Sequence, residues 1–430
     1  MKVITIAVLS LFFLFAENLI YAQLGEFKIN ASDGVSFDEF GYSISISGDY
    51  AVVGAWADDD SGSSSGSAYI FKRAGESWVQ EAKLLASDGA AGDQFGWSVS
   101  ISGDYAVVGA IFDADNGSLS GSAYIFKRAG ESWVQEAKLL PSDGAAGDRF
   151  GHSVSISGDY AVMGALNDGS IGSAYVFKRT DTTWAEEDKL LPSDGAASDQ
   201  FGISVSISGD YAVVGANLDD DNGSLSGSAY VFKRTDTTWT QETKLLPSDG
   251  AAGDRFGISV SISGDYAVVG ANANDDNESN SGSAYLFKRT DTTWAQETKL
   301  LASDGAAFDL FGVSVSISGD YAVVGAYLHD DNGGSSGSAY LFKRTGTSWA
   351  QEVKLLPSDG AAADQFGFSV SISGDYAAVG AYLHDDNGTN SGSAYVFSLH
   401  GPFVANPIQD VSVDEDFGTV IAALLDTVFN

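Results

Sequence analysis

The sequence predicts an all-β fold, a seven-bladed β-propeller with four-stranded blades, and three observations predict it. The dipeptide Phe-Gly recurs seven times between residues 40 and 367, at intervals of 55 residues with one interval of 51. Each unit contains four short strand patterns separated by turns, which is typical of a propeller blade when the repeat is about 40–55 residues long. The seventh unit lacks its fourth strand, and a matching strand stands alone near the start of the chain.

The fourth unit shows the strands in order. The first alternates polar and apolar residues and ends at Gly209-Asp210, a glycine turn suited to a two-residue hairpin. A polar loop at 218–227 separates the second strand from the third. Strict alternation along the fourth strand places Trp239 and Leu245 on the same face. The four strands are predicted at ISVSIS (203–208), YAVVGA (211–216), SAYVFKR (228–234) and WTQETKLL (239–246).

The opening strand decides between a closed propeller and an open solenoid. Glu26, Lys28 and Ile29 align with the end of the fourth strand in the first unit, at Glu81, Lys83 and Leu84. We therefore expect the N-terminal strand to complete the last blade and close the ring. A solenoid would instead need polar caps at both ends, and ring closure hides two sheet edges that would otherwise be exposed.

The Phe-Gly dipeptide itself has a structural interpretation. The phenylalanine is expected to wedge between neighbouring blades. The glycine after it is expected to permit a close approach or an unusual backbone angle.

The chain divides into three predicted segments. Residues 1–22 read as an export signal, with Lys2 before an apolar stretch and Ala22 as the cleavage residue. Residues 23–400 form the propeller. Residues 401–430 read as a linker and the truncated start of a module that resembles cadherin-like and immunoglobulin-like domains. The mature protein is therefore expected to be secreted or held at the cell surface, without membrane insertion after signal removal.

The net charge limits the classes of partner that the protein is expected to bind. The formal net charge is −36 and there is no cysteine, so nucleic acid and anionic membranes are poor partners and disulfides are excluded. An extracellular protein or a glycan is the expected partner.

The units resemble FG-GAP repeats, the blades of the integrin α-subunit propeller, and most closely the bacterial subtype. The residues that carry the resemblance are FGxSVSISGDYAVVGA, the SDGAAGDxFG lead-in and the acidic loop before GSAYVF. The resemblance implies extracellular ligand binding and adhesion, often assisted by calcium. The calcium loop of integrin-type blades does not transfer, because only Ser-Gly-Asp (208–210 in the fourth unit) joins the first two strands here.

Acidic residues gather on one predicted face, where the loops between the second and third strands meet the connections between units. These segments hold 30 of the 58 acidic residues, with Arg149 and Arg255 as the only obvious bases. Clustered carboxylates suit Ca²⁺, and the alternative is a solvated acidic rim that keeps the protein soluble. The candidate metal ligands are Asp219, Asp221, Asn222, Asp113, Asp115, Asp58 and Asp60.

Each connection also carries a pair of aspartates, such as Asp249 and Asp254. Paired carboxylates could serve glycoside hydrolysis, but a pair that recurs in every unit is better explained by turn capping, in which the aspartate of Ser-Asp-Gly bonds its own backbone. The sequence therefore predicts a protein that is not an enzyme.

A binding site is expected where the repeat symmetry breaks. The aromatic residues would either line a ligand-binding rim or pack between blades. The two histidines would be weak metal ligands, part of a binding patch, or incidental loop residues. The candidates for the ligand face are Trp56, Phe112, Tyr327, His329, Tyr382 and His384. The predicted function is an exported, non-catalytic adhesion module that binds a protein or matrix ligand, and the alternative is a carbohydrate-binding, lectin-like propeller.

Overall fold

The computed structural model describes residues 24–399, which form seven antiparallel sheets of four strands each. The predictions for residues 1–22 and 401–430 lie outside these residues. Within 24–399, no helix is both long enough and apolar enough to cross a membrane.

The strands follow the repeat. The N-terminal strand is β1 (Gly25–Ile29). Blade 1 contains β2 (Ser43–Ser47), β3 (Tyr50–Ala55), β4 (Ser67–Ala74) and β5 (Ser77–Leu84). Blade 2 contains β6 (Phe95–Ser102), β7 (Tyr105–Ala110), β8 (Ser122–Ala129) and β9 (Ser132–Leu139). Blade 3 contains β10 (Phe150–Ser157), β11 (Tyr160–Ala165), β12 (Ser173–Thr180) and β13 (Thr183–Leu190).

Blade 4 contains β14 (Phe201–Ser208), β15 (Tyr211–Ala216), β16 (Ser228–Thr235) and β17 (Thr238–Leu245). Blade 5 contains β18 (Phe256–Ser263), β19 (Tyr266–Ala271), β20 (Ser283–Thr290) and β21 (Thr293–Leu300). Blade 6 contains β22 (Val315–Ser318), β23 (Tyr321–Ala326), β24 (Ser338–Thr345) and β25 (Ser348–Leu355). Blade 7 contains β26 (Ser369–Ser373), β27 (Tyr376–Ala381) and β28 (Ser393–Ser398).

The ring closes as predicted. In blade 7 the strand order is β1-β28-β27-β26, so the N-terminal strand is the fourth strand of the last blade. A circuit of hydrogen bonds between the innermost strands joins each blade to the one before it, from an isoleucine N–H to a serine Oγ. The bond from Ile46 N–H to Ser371 Oγ, 3.0 Å long, closes this circuit between blades 1 and 7.

The hydrophobic core lies between neighbouring blades. One cluster combines Val213 and Val231 of blade 4 with Phe256 and Val269 of blade 5. Phe256 is fully buried, which confirms that the phenylalanine of Phe-Gly wedges between blades. The following Gly257 has φ of +91°, and a Cβ atom there would lie 2.2 Å from the Ser228 carbonyl oxygen. This position therefore requires glycine.

The strict alternation expected for the fourth strand is wrong, because a β-bulge interrupts it. Val231 pairs with Thr243 and Phe232 with Gln241, so Glu242 is an extra residue on β17. The bulge reverses the alternation. Trp239 consequently packs in the cluster shared with blade 3, whereas Leu245 packs in the cluster shared with blade 5.

The closing strand lacks this bulge. Glu26 accepts from the Ser358 N–H at 3.1 Å, as Gln80 accepts from the Ser32 N–H at 2.9 Å. The alignment of Glu26 with Glu81 is therefore wrong, and Glu26 takes the role of Gln80. In blades 1, 3, 4 and 5 the bulge glutamate accepts from the next blade's tryptophan, as Glu81 does from Trp133 Nε1 at 3.0 Å.

Candidate functional site

A lysine from the fourth strand stands inside each group of loop acids. Lys244 Nζ lies 2.9 Å from Asp194 Oδ2 in the connection and 3.1 Å from Asp219 Oδ2 in the loop, and it also pairs with Asp221. The loops and connections do converge on one face, as predicted. The expectation that Arg149 and Arg255 are the only bases there is wrong.

We call each such group an acid–lysine cluster: the first aspartate of the connection, one or two residues of the loop between the second and third strands, and the fourth-strand lysine. The same arrangement recurs in every blade, with blade 7 supplied by β1. The seven lysines are Lys83, Lys138, Lys189, Lys244, Lys299, Lys354 and Lys28.

The predicted metal ligands fall into these clusters and occupy two positions. Asp58, Asp113 and Asp219 are buried, and each accepts a hydrogen bond from a buried tyrosine hydroxyl at 2.8–2.9 Å. The second position is exposed and holds Asp60, Asp115 and Asp221, each paired with the same lysine. Asn222 follows Asp221 in the loop, and its backbone N–H donates to Ser226 Oγ.

The contacts between the lysine and its aspartates shift pKa values within the cluster. Burial opposes charge on Lys83, but hydrogen bonds to Asp33 and Asp60 outweigh it and raise the pKa of this lysine. Burial likewise opposes ionisation of Asp113, but the bond from Lys138 holds the pKa of Asp113 below its usual value. Each cluster is therefore a stable group of charges, in which the ammonium already provides the positive charge that a cation would bring.

Three clusters have donor atoms close enough together to share a metal ion. Asp88, Asp113 and Asp115 offer only oxygen, which suits a hard cation such as Ca²⁺. The other two clusters add an imidazole nitrogen, and that donor set suits transition metals better. In both, His329 or His384 takes the place of the buried aspartate. These two clusters are Asp304–His329–Asp331 and Asp359–His384–Asp386.

The second aspartate of each connection pair has the capping role. Asp38 Oδ2 accepts from the Val35 N–H at 2.7 Å, and the same bond recurs in the other connections. Burial raises the pKa of Asp38 to about 6. Capping was predicted for the first member of each pair, the aspartate of Ser-Asp-Gly. The structure shows this bond to a turn N–H at the second member, while the first member pairs with lysine.

The repeat symmetry breaks at one end of the central channel. We call this region the channel mouth and define it by the seven residues that directly follow Phe-Gly. All seven innermost strands contribute to its lining, which encloses about 230 Å³. The ring is aromatic on blades 7, 1, 2 and 3 and aliphatic on blades 4, 5 and 6. Its residues are Tyr42, Trp97, His152, Ile203, Ile258, Val313 and Phe368.

The aromatic side chains of the mouth contact one another in a continuous arc. The Tyr42 ring centroid lies 4.8 Å from that of Trp97 and 4.9 Å from that of Phe368. Trp97 in turn lies 5.9 Å from His152. Burial lowers the pKa of His152 to about 4, so this imidazole is neutral at pH 7.

Three of the predicted ligand-face residues join this arc from the ends of the second strands. Trp56 lies 5.8 Å from Trp97, and Tyr382 lies 4.7 Å from Phe368. Tyr327 lies 5.4 Å from Phe368 on the other side. These three side chains are half-buried. They therefore lie at the rim of the mouth and also pack against neighbouring blades, so both of the predicted alternatives apply.

The remaining candidates lie elsewhere. Phe112 stacks against the Arg149 guanidinium at 5.4 Å, one residue further along its loop than Trp56. His329 and His384 are buried in the acid–lysine clusters.

The four residues of the arc that follow Phe-Gly were not among the sequence candidates for the ligand face: Tyr42, Trp97, His152 and Phe368. The signal that could have found them is the residue after each Phe-Gly, which is the most varied position of the first strand. On blades 4 and 5 the positions equivalent to Trp56 hold Asn217 and Asn272. Both are buried, and the Oδ1 atom of each has no hydrogen-bond partner among residues 24–399.

The chain is similar to solved structures at low sequence identity. A crystal structure of a protein from Lactobacillus plantarum is similar over 75% of this chain and 86% of its own, with 15% identity and a TM-score of 0.48. No curated protein matches the chain.

The FG-GAP repeat family matches seven segments, each running from the fourth strand of one blade through the third strand of the next. The matched segments are residues 25–71, 78–126, 133–177, 184–232, 239–287, 294–342 and 349–397. The chain therefore belongs to the FG-GAP repeat family.

Proposed function

We propose that this protein is the non-catalytic binding module of an exported or cell-surface protein, and that it holds a neutral sugar at the channel mouth. The observation that carries the proposal is the aromatic arc, where the departures from the repeat lie side by side. Structural residues repeat in all seven blades, whereas an asymmetric ligand needs an asymmetric site.

The chemistry of the mouth favours a sugar ring. Aromatic faces offer apolar area to the C–H face of a pyranose, while side-chain amides offer partners for hydroxyl groups. Asn217 and Asn272 take the position of Trp56 in blades 4 and 5, and their buried Oδ1 atoms have no donor among residues 24–399. A cavity of about 150 Å³ holds benzene, so 230 Å³ is enough for one substituted six-membered ring.

The charge favours a neutral sugar over an acidic one. The protein carries a net charge of −36, and the acid–lysine clusters surround the mouth. An anionic glycan would meet a repulsive field as it approached.

The test is a titration of the full chain with neutral mono- and disaccharides, followed by tryptophan fluorescence and calorimetry. We expect Trp97→Ala to weaken binding at least about tenfold, which corresponds to about 1.4 kcal/mol. Phe308→Ala is the matched control, because Phe308 is an exposed aromatic residue on a connection and its side chain is 60% accessible. Binding that is unchanged in Trp97→Ala, or absent for every neutral sugar, would reject the proposal.

A second candidate function is calcium-assisted adhesion to a protein. The observation that favours it is the all-oxygen group of Asp88, Asp113 and Asp115 on the loop face. Thermal unfolding in calcium and in chelator separates the two candidates, since a ligand of the native state raises the midpoint. Sugar binding that does not depend on calcium supports the mouth, whereas a calcium-dependent midpoint without sugar binding supports adhesion.

A further inference from the structure

Blade 5 differs from the other blades in its acid–lysine cluster. The buried loop position holds aspartate in blades 1 to 4 and histidine in blades 6 and 7, but asparagine at Asn274 in blade 5. A carboxylate paired with an ammonium is a poor electrophile, and imidazole carries no carbonyl group. Asn274 alone presents a carboxamide to the fourth-strand lysine.

The Asn274 amide is held at both ends. Lys299 Nζ donates to Asn274 Oδ1 at 3.4 Å. The same oxygen accepts from the Asp276 backbone N–H at 3.1 Å and from Ser283 Oγ at 2.9 Å. Asn274 Nδ2 donates to Asp254 Oδ2 at 3.0 Å.

This arrangement contains the parts of an acyl-transfer site. Two donors on the carbonyl oxygen polarise it and would stabilise an oxyanion. The group that would leave, Nδ2, faces a carboxyl that is 4% exposed. Burial raises the pKa of Asp254, so this group holds a proton more readily than an ordinary aspartate and can act as a general acid.

We propose that Lys299 and Asn274 form an intramolecular isopeptide bond, a covalent cross-link between the fourth strand of blade 5 and its loop. The Lys299 ammonium gives a proton to the Asp249 carboxylate, 2.9 Å away, and the free amine attacks Asn274 Cγ. The new C–N bond forms as the bond from Cγ to Nδ2 breaks.

The protons and atoms balance without a cofactor. Nδ2 takes a proton from Asp254 and leaves as ammonia, and the attacking nitrogen returns its extra proton to Asp254. The proton held by Asp249 then passes to ammonia. One carboxamide and one ammonium become one secondary amide and one ammonium ion, with no oxidation or reduction.

Lys299 Nζ pairs with the Asp249 and Asp276 carboxylates, so the amine must leave these contacts before it can attack, and the reaction is expected to be slow. The reaction is needed only once per molecule, so a slow step is sufficient. The fraction of cross-linked chain should therefore grow with incubation time and grow faster at alkaline pH, where more of the amine is neutral.

The test is the intact mass and tryptic map of the purified full chain after incubation at about pH 9. Cross-linking removes one ammonia, about 17 Da. It also blocks tryptic cleavage after Lys299, so a peptide of residues 256–288 should appear joined to one of residues 290–343. A mass equal to that of the sequence, together with complete cleavage after Lys299, would overturn the proposal.

Two variants distinguish the cross-link from other losses of ammonia. Cyclisation of Asn274 onto its own backbone also loses ammonia, but it would persist in Lys299→Arg and would be cleaved by hydroxylamine. The cross-link is lost in Lys299→Arg and resists hydroxylamine. Asn274→His places the natural residue of blades 6 and 7 in blade 5, and it should fold normally with the mass of its sequence.

Discussion

The acid–lysine clusters and the channel mouth lie on the same face of the propeller, but the clusters follow the sequence repeat and the mouth departs from it. Each cluster is built from nearly the same residues in every blade and pairs its carboxylates with one lysine, which offsets part of their negative charge. Lys244, for example, bridges a connection aspartate and the loop aspartates. The mouth places seven equivalent positions around one channel and fills them with six different residue types.

The difference shows how to separate structural from functional signals in a repeat protein. A residue that recurs in every unit serves a contact that every unit makes, such as the buried Phe256 between blades. A ligand that binds on the axis meets all seven units at once, so its site depends on how the units differ. The clusters therefore stabilise the loops, and the mouth is the place to look for recognition.

The largest effect is expected from removing a cluster lysine. Lys138→Met leaves Asp113 buried, with its side chain 5% exposed, and without its ammonium partner. We expect a loss of about 3–5 kcal/mol, the usual cost of breaking a buried ion pair on one side. Chemical denaturation measures this loss in the free energy of unfolding.

Adding calcium to this experiment tests whether the cluster can bind a cation in place of the Lys138 ammonium. If Asp88, Asp113 and Asp115 can bind a cation once the ammonium is gone, calcium should restore part of the stability of Lys138→Met and leave the unmodified protein unchanged. Lys233→Met is the matched control, because Lys233 is 37% exposed and pairs weakly with Glu242 at 3.8 Å. Equal stability of the two variants would contradict the role assigned to Lys138.

A smaller effect is expected from the capping aspartates. The folded-state pKa of Asp38 is about 6, above the unfolded value of 3.8. Between these values the folded chain binds a proton that the unfolded chain lacks, so stability should rise as the pH falls from 7 to 5. Asp113, which pairs with Lys138, has a lowered pKa, so its contribution to stability is lost only as the pH falls below about 4.

Asp38→Asn isolates this contribution. The amide oxygen can still accept from the Val35 N–H, but it no longer titrates. We expect the variant to be more stable than the parent at pH 7 by about 1–2 kcal/mol, a range that allows for solvent screening. The gain should vanish near pH 4, and denaturation at several pH values measures it. A gain that is constant with pH would show that the raised pKa of Asp38 plays no part.

The sequence predicted what depends on local pattern. The Phe-Gly spacing and the unpaired opening strand were enough for the blade count and for closure by β1. The bulge at Glu242 was not predictable from alternation, because that glutamate is held by Trp294 of the next blade. The lysines inside the clusters were missed for the same reason, since the bulge sets the register of Lys244 relative to the loop.

The mouth was predicted only in part. Trp56, Tyr327 and Tyr382 stood out by composition, but their convergence with Tyr42 and Phe368 depends on ring closure, which brings blades 7 and 1 together. Residues 42 and 368 are far apart in sequence, and their ring centroids lie 4.9 Å apart. A pattern within one repeat carries no information about such a contact.

The smallest effect on stability, and the sharpest contrast with the clusters, is expected from making the mouth symmetric. Tyr42→Ile gives blade 1 the residue that blades 4 and 5 carry at Ile203 and Ile258. Tyr42 is half-buried and sits at the open end of the channel, so we expect unfolding to change by less than about 1.5 kcal/mol. Sugar binding should nevertheless fall, because the substitution removes the ring that joins Trp97 to Phe368. A Tyr42→Ile variant that loses stability but keeps full sugar binding would show that recognition lies away from the mouth, on the loops that the clusters hold in place.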